Sequence, residues 1–421
     1  MKALTSLSKE ELANELEVLK KEYDELVSMN LALDMSRGKP EPGQLDLALD
    51  MLDVLDKDTD FVDGGLDARN YGGLDGLASA KNLFADMLKT TADHVLVGGA
   101  SSLNMMFDAI SRAYMFGLMG ETPWCKLDKV KFLCPSPGYD RHFAVTEHFG
   151  FENILVPMKA DGPDMDVVEE LVKDPAVKGI WCVPKYSNPE GVVYSDEVVK
   201  RFANLKPAAK DFRIFWDNAY MVHHLYEKIE ILNIIDECEK AGNPDMYYEF
   251  CSFSKISFAG AGIAAMAASP ANLAEAKKTL TIQTIGSDKV NMLRHVLYFK
   301  DAAGVDAHME KHAAMLRPKF EMVDRVLTEG LDGLDAGTWT KPKGGYFVTF
   351  YTKEGCAKRV IELCKNAGVV MTGAGAPFPY KKDPQDSVIR ISPSYPTIDE
   401  LEKAVKVFVT CVKLATVENL M

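Results

Sequence analysis

A lysine stands at the end of the apolar run Cys251-Ser252-Phe253-Ser254-Lys255-Ile256-Ser257-Phe258-Ala259-Gly260, flanked by hydroxyls and small residues. Desolvation there lowers its pKa and provides a neutral, nucleophilic amine, the form of lysine that attacks carbonyl groups. A lysine laid along the surface is the competing reading, and the two serines and the glycine-rich continuation argue against it. A second apolar run, Arg213-Ile214-Phe215-Trp216-Asp217, ends in a carboxylate that is costly to leave there without a cationic or hydrogen-bonding partner. A protonated ring nitrogen is one such partner; a cap on the next helix is an equal use for Asp217. Three further runs end similarly. Gly98-Gly99-Ala100-Ser101-Ser102 combines glycines, the free N–H groups of a helix start and serine hydroxyls. These suit a phosphate or, in isolation, an ordinary serine-capped helix. Pro135-Ser136-Pro137-Gly138-Tyr139-Asp140-Arg141 offers a tyrosine to stack on a flat ring and an arginine to grip a carboxylate, or else a proline-rich turn. Ser187-Asn188-Pro189-Glu190-Gly191 reads as a turn that brings the Asn188 amide to a sheet edge.

Positioning these groups requires strands. From about 65 to 300, short β-rich runs alternate with longer helix-like stretches: His94-Val97, Val130-Cys134, Ile154-Val156, Ile180-Val183, Arg213-Trp216, Tyr248-Phe253 and Ile263-Ala268. The pattern predicts an α/β fold with a mixed, mostly parallel seven-stranded sheet flanked by helices, and ligands in such sheets sit at the carboxyl ends of the strands. Beyond it, a helix through His308-Arg325, strands near Gly345-Tyr351, Val369-Thr372 and Val388-Ser392, and a helix from about Ile398 to Val412 predict a smaller α+β unit. Residues 8 to 28 space Leu12, Leu16, Leu19, Tyr23 and Leu26 as an amphipathic helix with Ser8 as its cap. The expected division is 1–60 (N-terminal arm and part of the small domain), 61–305 (large domain) and 306–421 (small domain).

The 421-residue chain carries 48 Lys+Arg against 62 Asp+Glu, a net −14, which disfavours a nucleic-acid footprint. Its 8 cysteines are scattered without a C-x-x-C pair, as in a reduced, cytoplasmic protein. No apolar run reaches the roughly 18 residues of a membrane span, and the 8 histidines show no metal-ligand spacing, so no metal is assigned.

The order of these runs, with Asp217-x-x-Tyr220, Ser252-x-Ser254-Lys255 and, far downstream, Val388-Ile389-Arg390-Ile391-Ser392, resembles the class I aminotransferases of pyridoxal 5′-phosphate (PLP) fold type I over nearly the whole chain. The resemblance implies PLP carried by Lys255 as an aldimine, with Lys255 also the base for the Cα proton, and Asp217 on the pyridine nitrogen. It further implies Asn188 and Tyr220 on the phenolic oxygen, Tyr139 over the ring, and Gly99, Ala100, Ser101, Ser102, Ser252 and Ser254 around the phosphate. Tyr71, in Asn70-Tyr71-Gly72-Gly73, resembles a tyrosine that reaches the phosphate of a neighbouring subunit, which implies a homodimer with shared sites. Arg390 matches the clamp for the substrate α-carboxylate, and Gly38 a glycine that approaches the substrate.

One departure stands out: the family usually has an arginine eight residues after the lysine, gripping the phosphate, where this chain has Ile263. Lys289 and Arg294 are candidates to supply that charge. The departure, with Met35-Ser36-Arg37-Gly38-Lys39-Pro40, resembles a divergent bacterial aspartate aminotransferase subgroup related to the aminotransferase-like half of MocR regulators. The resemblance implies transfer of an amino group from aspartate or another amino acid to 2-oxoglutarate, with Arg141 first and Arg37 second as the cation for the distal carboxylate. An aromatic or kynurenine-type aminotransferase and a β-decarboxylase remain alternatives, as, more remotely, does a PLP-sensing domain. Gly260-Ala-Gly262-Ile-Ala-Ala265 formally matches a dinucleotide fingerprint but runs into a strand instead of opening a helix.

Overall fold

The computed structural model describes residues 2–421. Its largest element is an eight-stranded sheet in the order Val95–Val97, Ala264–Ala267, Tyr247–Ser252, Arg213–Asp217, Val177–Cys182, Lys131–Ser136, Glu152–Lys159, Gly162–Pro163. Ala264–Ala267 runs antiparallel to both its neighbours and Gly162–Pro163 to the strand beside it, and every other pairing is parallel. All seven predicted strands are present; Gly162–Pro163 is a two-residue addition at the edge.

Side-chain alternation divides the apolar residues of this sheet between two cores. Leu133, Ile180, Ile214 and Trp216 face one, and Phe132, Trp181, Phe215 and Phe250 face the other. Helices cover both, among them Ala78–Leu88 on the first and Ser102–Phe116 on the second. Burial on both faces is why these strands read as continuous apolar runs. Asp217 is two residues after Phe215, so it emerges at the strand end on the Phe215 face.

The helix Ala302–Leu331 links this assembly to a second core: Val305 and Met309 pack with the large sheet, whereas Leu316, Phe320, Val323 and Leu327 pack in the other unit. That unit holds the antiparallel sheet Gly337–Trp339, Val348–Thr352, Val388–Ile391 and the closing helix Ile398–Leu420. The N-terminal helix Lys9–Ser28 starts at a capping box, with the Ser8 N–H donating to Glu11 at 2.6 Å and the Glu11 N–H to Ser8 Oγ at 3.3 Å. It buries Leu12 and Leu19 in the second core. The chain then returns toward the large sheet after Leu33–Asp34 pairs in parallel with Val369–Val370. Among the described residues no helix is long and apolar enough to cross a membrane, and all eight cysteines are free, with only Cys125 exposed.

Candidate active site

A cavity of about 460 Å³ opens where the large sheet's strand ends meet the second unit and the N-terminal segment. It brings together Arg37 and Gly38, Ser101 and Ser102, Tyr139 and Arg141, Asn188, Asp217 and Tyr220, Ser252, Ser254 and Lys255, and Arg390. Gly99 and Ala100 do not line it; they are exposed on an adjoining hollow, the Ala100 carbonyl accepting from Ser254 Oγ at 3.3 Å. Tyr71 is elsewhere: it is 79% exposed, on a loop that lines a different hollow with Arg69 and Lys289.

Lys255 follows the strand Tyr247–Ser252 and places its Nζ 5.1 Å from the centre of the Tyr220 ring. Burial pushes its amine below the ordinary lysine range, with the Asp217 charge opposing. Asp217 is buried and its two oxygens differ. Oδ2 lies 2.9 Å from His142 Nε2, while Oδ1 has no partner at all. His142 is clamped in turn, stacked on Trp181 at 4.6 Å and 14° and edge-on to Tyr139 at 4.8 Å. A buried carboxylate with one oxygen held and the other bare is an acceptor awaiting one N–H. Tyr220 is buried and Tyr139 half-buried, and desolvation raises the pKa of both hydroxyls, so they remain donors at neutral pH.

Opposite Asp217, hydroxyls and a helix start form a cup. Ser101 caps the helix Ser102–Phe116, accepting from the Asn104 N–H at 3.4 Å, and Ser252 Oγ donates to Ser254 Oγ at 3.1 Å. A Cβ on Gly262 would stand 3.2 Å from both the Ala100 oxygen and the Ser254 nitrogen, so a larger residue there would crowd the cup. Neither Lys289 nor Arg294 lines this cavity, but Arg294 lines the adjoining hollow, of about 540 Å³, together with Gly99, Ala100, Gly262 and Ser287. Arg294 lies over the Phe258 ring at 5.8 Å and donates to Asn291 Oδ1 at 2.6 Å, and the Lys289 stem packs against Gly73.

Arg390, on the strand Val388–Ile391, is buried over the Phe347 ring at 4.7 Å. It donates through Nη1 to Asn188 Oδ1 and Asp140 Oδ1, both at 3.3 Å, and through Nη2 to Thr372 Oγ1 at 3.1 Å, while its Nε has no partner. Gly38 must be glycine, since a Cβ would sit 2.2 Å from Phe347 Cζ. Arg141 is exposed at the mouth, and Arg37, also exposed, lies 3.9 Å from Asp34. Sequence reasoning missed His142, Asp140, Lys39, Phe347 and Thr372. His142 alone had a usable signal, a histidine sharing the buried face of Asp140–His148 with Phe143 and Val145.

The family model described as "Aspartate amino-transferase" matches residues 7–421. An aspartate aminotransferase of Corynebacterium glutamicum is 48% identical over 405 residues, covering 96% of this chain and 94% of that protein. A crystal structure of an aspartate transaminase from the same species superposes with a TM-score of 0.97 at 47% identity, over 100% of this chain and 99% of that one. An α-aminoadipate aminotransferase from Thermus thermophilus, solved with N-(5′-phosphopyridoxyl)-L-leucine, shares the fold at 19% identity, with a TM-score of 0.75 over 93% of this chain and 94% of that one. With Lys255, the bare Asp217 oxygen and Arg390 facing one cavity and the match running from residue 7 to the C-terminus, the chain belongs to the aspartate aminotransferase family and is an aminotransferase.

Proposed function

We propose that the protein transfers the amino group of aspartate to 2-oxoglutarate, giving oxaloacetate and glutamate in two half-reactions on one PLP held by Lys255. The observation that carries this reading is Asp217 Oδ1, a buried acceptor with no partner, in the same cavity as a desolvated lysine and a buried arginine. PLP fits that donor and acceptor set and supplies an electron sink for the carbanion left at the substrate Cα. Asp217 would hold the ring-nitrogen proton, kept in place by His142. Tyr139 would cover one face of the ring, and Asn188 and Tyr220 would donate to its phenolic oxygen. The cup of Gly99, Ala100, Ser101, Ser102, Ser252 and Ser254 would take the phosphate through N–H and O–H donors and the positive end of the helix Ser102–Phe116.

In this reading Arg390 holds the substrate α-carboxylate, exchanging its loose contacts with Asp140 and Asn188 for a bidentate pair. Gly38 and Phe347 close the substrate side and exclude water. The Lys255 amine would take the Cα proton and return it to the cofactor carbon, a general-base role for which burial, by lowering its pKa, favours the neutral amine. Arg141, with Arg37 second, meets the distal carboxylate. Titrating PLP-loaded protein with aspartate and then 2-oxoglutarate tests the reading: the visible band should be lost and then restored. Lys255→Ala should hold no reducible covalent chromophore. A wild-type band unchanged by aspartate refutes the assignment.

The same reading divides the chain at 1–60, 61–305 and 306–421 and places the protein in the cytoplasm as a homodimer, Tyr71 reaching a partner's phosphate. The exposure of Tyr71 supports the dimer, and the eight free cysteines suit a reducing compartment. Sedimentation should give twice the chain mass of 46.5 kDa, and a 46.5 kDa particle would remove the shared site.

A further inference from the structure

His308 and His312 are one helical turn apart on Ala302–Leu331, on one face. Both are buried and point at the chain segment just after Lys255. His308 Nε2 lies 2.8 Å from the Ile256 carbonyl oxygen and 3.0 Å from His312 Nε2. Their protons follow from their partners. Gln44 Oε1 accepts from the Glu41 N–H at 3.2 Å, so Gln44 Nε2 is turned toward His312 Nδ1, 3.1 Å away. His312 Nδ1 must accept and its proton sits on Nε2, while the hydrogen bond to the Ile256 oxygen is donated by His308 through its own Nε2 proton. The next carbonyl back, that of Lys255 itself, accepts from the Tyr346 hydroxyl at 3.4 Å, and Gln44 Nε2 lies 3.4 Å from the same hydroxyl. Two successive carbonyls at the reactive lysine are therefore held by a network reaching in from the long helix, the N-terminal segment and the second unit.

We propose that His308, His312 and Tyr346 are positioning residues for the aminotransferase reaction, holding the Lys255 and Ile256 carbonyls and so aiming the Lys255 amine. The inference rests on the reading that Lys255 is the reactive lysine. Every donor in the network is neutral: burial lowers the pKa of both imidazoles from the ordinary value, His312 down to about 3. Neutral donors fix the backbone without placing a charge that would shift the lysine's own titration. The purpose is geometric, since a displacement of about 1 Å at a reacting group costs on the order of a hundredfold in rate.

Tyr346→Phe removes one oxygen, His308→Leu removes an N–H donor, and His308→Gln returns a donor at nearly the Nε2 position. Two readouts separate positioning from general damage. Hydrogen exchange of amides 253 to 258 in PLP-free protein should quicken at least tenfold in Tyr346→Phe and His308→Leu. In loaded protein the aspartate half-reaction should slow about tenfold or more with KM and PLP retention within twofold, and His308→Gln should recover most of the rate. Unchanged exchange and rate in Tyr346→Phe overturns the proposal, as does a His308→Gln no better than His308→Leu. If His308→Leu does not fold, Tyr346→Phe decides. A wild-type protein that fails to react with aspartate refutes the functional reading, and the exchange experiment still judges the clamp.

Discussion

Asp217 shows how one residue's surroundings select its chemistry. A buried carboxylate with no cation is expensive, and here the His142 N–H, itself wedged on Trp181, satisfies one oxygen only. Lys255 and Asp217 were legible in the sequence because each ends an apolar run. His142 showed only as a histidine on a buried helix face, and its role did not, because its partner lies 75 residues away and only the fold brings the two together. Arg141 was legible as a cation but not as an exposed one. That exposure bears on specificity. A guanidinium still partly hydrated contributes less than a buried partner, so Arg141→Ala should lower the preference for aspartate over alanine about tenfold, roughly 1 to 2 kcal/mol. The ratio of kcat/KM for the two amino acids measures it, and an unchanged ratio would pass the role to Arg37.

Elements were legible where the chain is buried on two sides. The strands of the large sheet read as apolar runs, whereas Gly337–Trp339, with three residues and none buried, did not register. The long helix extends from Ala302 to Leu331, beyond the predicted His308-Arg325, because its start is disguised. Asp301 caps it through the Gly304 N–H at 2.8 Å, and Gly304 reads as a break although it is there for close packing: a Cβ would meet the Phe299 oxygen at 1.8 Å. The start of Ser102–Phe116 matters most, since the cup depends on it. Ser101→Ala removes its cap, worth about 1 kcal/mol, and one hydroxyl of the cup. PLP affinity should fall about fivefold to tenfold, read by titrating PLP-free protein, while Lys255 still binds covalently; an unaltered affinity would leave the phosphate to the other donors.

The whole molecule buries more imidazole than carboxyl, and the two act with opposite sign. Burial lowers the pKa of His223, His224, His295, His308 and His312, with His295 brought to about 4 and His312 to about 3 from 6.5. Below pH 6.5 the unfolded chain takes up protons at these rings and the folded chain does not, so acid removes stability. Between pH 7 and pH 5, His295 and His312 each lose about 2 kcal/mol. Glu190 and Glu249 run the other way. Burial raises both to about 7 from 4.5, so the folded chain holds these protons where the unfolded chain has lost them, and acid adds stability. For the fully buried Glu249 the gain over the same interval is also about 2 kcal/mol. The histidines outnumber the carboxyls, so urea unfolding of PLP-free protein should need less denaturant at pH 5 than at pH 7. Glu249→Gln retains an acceptor for Asn218 Nδ2, now 2.8 Å away, but cannot titrate, so it should deepen that loss by about 2 kcal/mol. A variant with the wild-type pH slope would mean that Glu249 takes up no proton in the folded protein between pH 7 and pH 5, and a wild-type protein equally stable at both values would mean that the gain at the buried carboxyls matches the loss at the imidazoles.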